Sequence, residues 1–216
     1  MDIKTVIFDL DGTLIDSAMG IINSVQYSLS KYGIEVDNTI NLKEFIGPPL
    51  NQQFEKSYHF SKEESKQAVK YFQEYYSRKG IFEYQIYNGI LELLKELQKS
   101  KKRILIATSK PEEYAKIIIN RLCLTKYFEF IGGGLLDGLR ENKNEVIKYV
   151  LDSCKISDNK NVVMIGDRKY DIIAAKELGL HSIGVLYGYG ELDELQQSDA
   201  EFIVKSPFEI KNILLK

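Results

Sequence analysis

Short apolar runs, each cut off by polar residues and followed by a helical pattern, set the strongest limit on how this sequence folds. Residues 4–9, 103–108, 128–131, 161–165 and 182–186 are rich in Val, Ile, Leu and Phe and read as buried strands. A weaker run at 201–204 fits a sheet edge. Between them, apolar spacing predicts helices over 90–98, 111–122, 142–153 and 170–178, with Gly179 as a left-handed stop. Strand alternating with helix builds a parallel sheet covered on both faces, because each parallel connection needs a crossover. The predicted class is α/β with a Rossmann-like parallel sheet. Such sheets bind ligands beyond the carboxyl ends of their strands, which is where this sequence places its polar residues.

Residues 17–86 break the alternation. They carry helical patterns over 18–32, 42–45, 49–58 and 62–79, with punctuation at Gly33, Gly47-Pro48-Pro49 and Gly80, and no run that reads as a strand. Aromatic residues at 71, 72, 75 and 76 fit a helix face packed on neighbours. The expected organisation is an α/β core made of 1–16 and 87–216, with a helical domain inserted over 17–86.

Lys and Arg (29) nearly balance Asp and Glu (31), and no long basic stripe marks a nucleic-acid surface. The apolar runs are too short to cross a bilayer and the first residues lack a signal pattern, so a cytoplasmic chain without a membrane partner is expected. Cys123 and Cys154 lie apart in apolar, helix-like surroundings and read as reduced, buried thiols. His59 and His181 adjoin neither a carboxylate cluster nor a serine nucleophile, which argues against a histidine triad or a zinc site.

Four groups at the strand ends carry the chemistry. Asp9-Leu10-Asp11-Gly12-Thr13 follows the first run: two carboxylates at i and i+2, a glycine that lets the backbone turn closely, and a hydroxyl donor. Read alone this is also an ordinary turn, since Asp and Gly both favour turns. Thr108-Ser109 places hydroxyl and N–H groups at the same edge, where they can hold phosphate oxygens or cap a helix. Lys143 opens a helix, where its charge opposes the macrodipole and calls for compensation, which a bound phosphate would supply. Gly166-Asp167-Arg-Lys-Tyr-Asp171 adds two more carboxylates. Asp167 can join Asp9 and a main-chain carbonyl around a hard, oxygen-seeking ion such as Mg²⁺, while Asp171 ligates through water or orients Lys143. A nucleophile, charge neutralisation and a proton source are what phosphoryl transfer from a monoester demands.

In this order and spacing, Asp9-x-Asp11-Gly-Thr-Leu, Thr108, Lys143 and Gly166-Asp167-x-x-x-Asp171 resemble the haloacid dehalogenase superfamily of phosphatases. The resemblance spans nearly the whole chain. It extends to the helical insert, which is similar to the cap of the phosphoglycolate-phosphatase-like branch, with Ile46-Gly47-Pro48-Pro49-Leu50 similar to that branch's cap loop. It implies that Asp9 attacks phosphorus to form an aspartyl-phosphate, and that Asp11 protonates the leaving oxygen and then activates water. Thr108 and Lys143 would bind the phosphoryl group, aided by Gly12, Thr13 and Ser109. Mg²⁺ would lie between the Asp9 carboxylate, the Asp11 carbonyl and Asp167. Dehalogenases of the superfamily lack the second acid, so Asp11 argues against that activity. The cap would select a small phosphorylated metabolite, and placement nominates Gly47, Pro48, Leu50 and Arg78 for that task. Phosphoglycolate is the first expectation for the substrate and a nucleoside 5′-monophosphate the alternative. A sugar-phosphate mutase and a non-catalytic binding protein are further alternatives.

Overall fold

A computed structural model describes residues 2–36, 39–136, 140 and 142–215. The chain forms two compact units, Met1–Ile15 with Ile86–Lys216, and Asp16–Gln85. Strand β1 (Thr5–Phe8) opens the first unit, and the two-residue segment β2 (Ile15–Asp16) carries the chain into the second. That unit is helical: α1 (Ala18–Ser30), a 3₁₀ turn at Thr39–Phe45, α2 (Leu50–Tyr58), α3 (Lys62–Tyr76) and a second 3₁₀ turn at Gly80–Phe82. Val25, Leu29, Phe54, Ala68 and Phe72 are buried within it. Phe45 meets Phe54 edge-on at 4.8 Å, and Phe54 stacks on Phe60 at 5.9 Å. The Ser28 hydroxyl donates to Ala68 O at 2.7 Å, tying α1 to α3. Ser61 caps α3 reciprocally, accepting from Glu64 N–H while the Glu64 carboxylate accepts from Ser61 N–H.

The chain returns through β3 (Gln85–Ile86) and continues α4 (Ile90–Lys99), β4 (Arg103–Pro111), α5 (Glu112–Arg121), β5 (Phe130–Gly134), α6 (Lys143–Ser153), β6 (Val162–Gly166), α7 (Lys169–Glu177), β7 (His181–Val185), α8 (Leu192–Gln197), β8 (Phe202–Val204) and α9 (Pro207–Leu214). Six of these strands form one parallel sheet in the order β5-β4-β1-β6-β7-β8. Every residue of β1 and β6 is buried, which explains why these segments read as apolar runs instead of alternating ones. Ile7, Leu105, Ala107 and Met164 pack under Val146, Ile147 and Val150 of α6 and Ala174 and Ala175 of α7. Strands are added outward from β1 first on one side and then on the other, so β1 sits at the switch point, where sheets of this class bind ligands beyond their carboxyl ends.

The run at 128–131 is displaced in the structure to Phe130–Gly134. Phe128 closes a 3₁₀ turn through its N–H to Thr125 O, and the strand proper is mostly glycine, which carries no β-propensity. A Cβ at Gly132 would lie 2.4 Å from Val150 Cγ2, so α6 can pack there only on a bare backbone. The predicted C-terminal stop at Gly179 is found, with φ +68°. Cys123 is exposed instead of buried, because α5 ends at Arg121 and Cys123 occupies a left-handed turn (φ 57°); Cys154 is half-buried, and both are free thiols. Among the described residues, no helix is long and apolar enough to cross a membrane.

Two substitutions test this account through urea unfolding. Ile7→Ala, at a fully buried position in the sheet, is expected to lower stability by about 2–5 kcal/mol. Ser61→Ala, which removes only the α3 cap, is expected to lower it by about 1 kcal/mol.

Candidate active site

The main chain positions Asp9 first. Its N–H donates to Ile165 O of β6 at 2.9 Å, and its own carboxylate accepts from the Leu10 N–H at 2.7 Å. The chain then bends at Leu10 and turns through Gly12 (φ +78°), with Leu14 N–H bonded back to Leu10 O at 2.9 Å. Carboxylate oxygens of Asp9, Asp167 and Asp171 lie within 4.8 Å of one another. Asp11 is not in this cluster. Because the segment bends instead of continuing extended, the Asp11 carboxylate is held by Lys110 Nζ at 2.8 and 3.0 Å.

Lys143 bridges two of these three carboxylates. Its Nζ lies 2.9 Å from Asp9 Oδ1 and 2.8 Å from Asp171 Oδ1, and donates to Ala107 O at 3.2 Å. Three ammonium hydrogens thus face three acceptors. The anion demanded by a lysine at the start of α6 is supplied by the protein's own carboxylates. Burial alone would push the Lys143 pKa down; Asp171 and Asp9 reverse this and hold it above the ordinary lysine value.

Asp167 is fully buried at the end of β6. It accepts from Tyr189 N–H at 2.8 Å and from the Thr13 hydroxyl at 3.4 Å. Gly12 and Gly188 crowd it so closely that a Cβ at either would lie 2.1 and 2.7 Å from Asp167 Oδ2, which makes glycine a requirement at both. Tyr187 donates its hydroxyl to Thr13 O at 3.1 Å, strapping the loop after β1. Burial, then the charges of Asp171 and Asp9, push the Asp167 carboxyl well above the usual range. For Asp171, burial pushes upward, Lys143 pulls down and Asp9 adds an upward push, with a result of about 6.

These shifts have one electrostatic cause. Asp9 and Asp171 share the Lys143 ammonium and Asp167 lies beside them, so the three clustered carboxylates keep negative charge that this one lysine does not compensate, which is costly away from water. A divalent cation with oxygen ligands would balance that charge, so the donor set of Asp9, Asp167 and Asp171 fits such an ion. Asp11 was expected in this set through its carbonyl, and its carboxylate is committed to Lys110.

Thr108 is buried at the end of the regular part of β4, its hydroxyl accepting from Lys110 N–H at 3.2 Å, and Ser109 is half-buried beside it. Gly47 and Pro48 lie in the helical unit just before α2, Leu50 opens α2, and Arg78 is exposed just after α3. Sequence reasoning missed Lys110, although its place directly after Thr108-Ser109 marked it for the same sheet edge. It also missed the 187–190 loop, whose role depends on contacts across the chain. Glu194 was missed for the same reason; it accepts from Arg168 Nε at 2.9 Å and Lys169 N–H at 2.8 Å, bracing the turn that carries Asp167 and Asp171.

A family model described as haloacid dehalogenase-like hydrolase matches residues 6–185. The chain belongs to that family. Among curated relatives of this hydrolase, a 5′-nucleotidase from Pseudomonas aeruginosa is 39% identical over 88% of this chain and 86% of its own. The tyrosine-protein kinase PtkA from Mycobacterium tuberculosis is 31% identical over 93% and 68%, and a phosphoglycolate phosphatase from Vibrio parahaemolyticus is 27% identical over 99% and 96%. The crystal structure of a putative phosphatase from Clostridium difficile superposes with a TM-score of 0.91, at 48% identity over 99% of both chains.

If the carboxylate cluster holds a divalent cation, the stability it confers depends on pH. Folded Asp167 and Asp171 keep their protons above the ordinary value of 3.8, so the metal-free protein loses stability as pH rises from there through about 6. A bound cation removes that penalty but competes with the protons at low pH. A fixed magnesium concentration, 100-fold above the Kd at pH 8, is expected to raise Tm by about 5–10 °C at pH 8 and by much less at pH 5 in scanning calorimetry. Equal shifts at the two pH values would contradict the assigned donor set.

Proposed function

We propose that this hydrolase is a Mg²⁺-dependent phosphomonoesterase working through an aspartyl-phosphate on Asp9. The observation that carries the reading is the cluster of Asp9, Asp167 and Asp171 at the carboxyl ends of β1 and β6, with Lys143 bridging Asp9 and Asp171. One oxygen of Asp9 attacks phosphorus while the ester oxygen leaves as an alcohol, taking its proton from the carboxylic acid of Asp11. Asp11, now a carboxylate, accepts a proton from water as the water oxygen attacks the phosphoryl group and the bond from phosphorus to Asp9 breaks, which releases phosphate, frees Asp9 as a carboxylate and returns Asp11 to its acid form. Lys143 and Thr108, with Ser109, Gly12 and Thr13, are assigned to the phosphoryl oxygens. The Lys143 ammonium also keeps Asp9 aligned and compensates charge beside it. Asp9, Asp167 and Asp171, with the Asp11 carbonyl, would hold Mg²⁺, which supplies charge neutralisation at the phosphate.

Substrate choice is assigned to the helical unit, with Gly47, Pro48, Leu50 and Arg78 as the residues to vary. Nucleoside 5′-monophosphates are the better supported class, because the relative named 5′-nucleotidase is more similar to this chain than the one named phosphoglycolate phosphatase. A kcat/KM panel of nucleoside monophosphates and phosphoglycolate decides between them. The chemistry is tested by phosphate release from p-nitrophenyl phosphate with magnesium or with a chelator. Asp9→Asn is expected to lower kcat at least about 10³-fold; full activity in that variant would remove Asp9 as the nucleophile.

A further inference from the structure

Lys110 is a second buried cation at the carboxyl edge of the sheet, and the nucleophile cluster does not use it. Its side chain is 6% exposed, against 17% for its partner Asp11. The backbone explains how it arrives there. β4 and β5 pair regularly up to Thr108↔Gly133, and the next pair is Pro111↔Gly134, so Ser109 and Lys110 have no opposite residues. An insertion of this kind bends a strand and re-aims its side chains. Lys110 N–H bonds to Thr108 Oγ1, closing the irregular stretch onto the strand end. The same ammonium then contacts both oxygens of Asp11, at 2.8 and 3.0 Å, which fixes the rotation of that carboxylate.

Two carboxylates two residues apart are therefore held by different lysines: Asp9 by Lys143 and Asp11 by Lys110. Lys110 draws the Asp11 carboxylate away from the cation site formed by Asp9, Asp167 and Asp171. We propose that Lys110 is a positioning residue that keeps Asp11 aimed at the reacting oxygen and outside the metal cluster. It acts through Asp11 and makes no contact with substrate. The inference rests on the assignment of Asp11 as the acid–base group.

The experiment is a double-mutant cycle of Lys110→Met and Asp11→Asn in the full-length, magnesium-loaded enzyme, with p-nitrophenyl phosphate as substrate and acid-quench trapping of phosphoenzyme. Lys110→Met is expected to lower kcat about 30- to 300-fold, within the range for losing a positioned acid–base group, with KM falling in step because hydrolysis of the intermediate becomes rate-limiting. Phosphoenzyme should accumulate, because hydrolysis of the intermediate relies on Asp11 whereas p-nitrophenolate leaves without a proton. In the Asp11→Asn background, Lys110→Met should cost less than about twofold more. Lys110→Arg, which keeps a cation beside Asp11, should recover part of the loss. Losses that multiply, or a raised KM at unchanged kcat, would overturn the proposal. If Lys110→Met does not fold, Lys110→Gln carries the same cycle. Full activity of Asp9→Asn with no trapped intermediate would instead overturn the underlying mechanism, so the two failures are distinguishable.

Discussion

The ammonium of Lys143, buried among Asp9, Asp171 and the Ala107 carbonyl, is the contact on which the rest of the α/β unit depends. It joins the end of β1 and the regular part of β4 to the starts of α6 and α7 at one point, and it offsets part of the charge of the clustered carboxylates. Removing one member of a buried, hydrogen-bonded ion group leaves the others unpaired in a poorly solvated place, at a cost of about 3–5 kcal/mol. The fold therefore has to bring these four segments together accurately before the charges are tolerable. The same accuracy makes the group useful for chemistry.

Around that point the backbone does much of the sorting. The bend after Leu10 and the left-handed Gly12 carry Asp11 away from Asp9, and the extra residues at the end of β4 bring Lys110 to meet it. Gly12 and Gly188 leave Asp167 the space it fills, and the Tyr189 N–H fixes its rotation. A motif that looks like two equivalent carboxylates becomes two carboxylates with different partners and different surroundings.

Much of this was legible in the amino-acid order. The strands at 103–108, 161–165 and 182–186 were readable because burial on both faces forces continuous apolar runs, and Asp9, Thr108, Lys143, Asp167 and Asp171 were readable because each follows or opens such an element. The glycine strand Phe130–Gly134 was not readable in full, since its β-structure comes from the close packing of α6 and α5 and not from any preference of its own. Helices α8 and α9 were missed, being short enough that their apolar periodicity is hard to tell from chance.

The sequence by itself determined the class of the fold, the edge of the sheet that carries the polar groups, and the residue types available there. These follow from local patterns: periodicity, strand-end punctuation and the spacing of acids around a turn. Only the tertiary structure decided which base serves which acid. Lys110 and Lys143 lie 99 and 134 residues from their partners Asp11 and Asp9, and no local rule links positions so far apart. That pairing is set by strand order, by the slip between β4 and β5, and by the cost of leaving any of these charges buried without a partner.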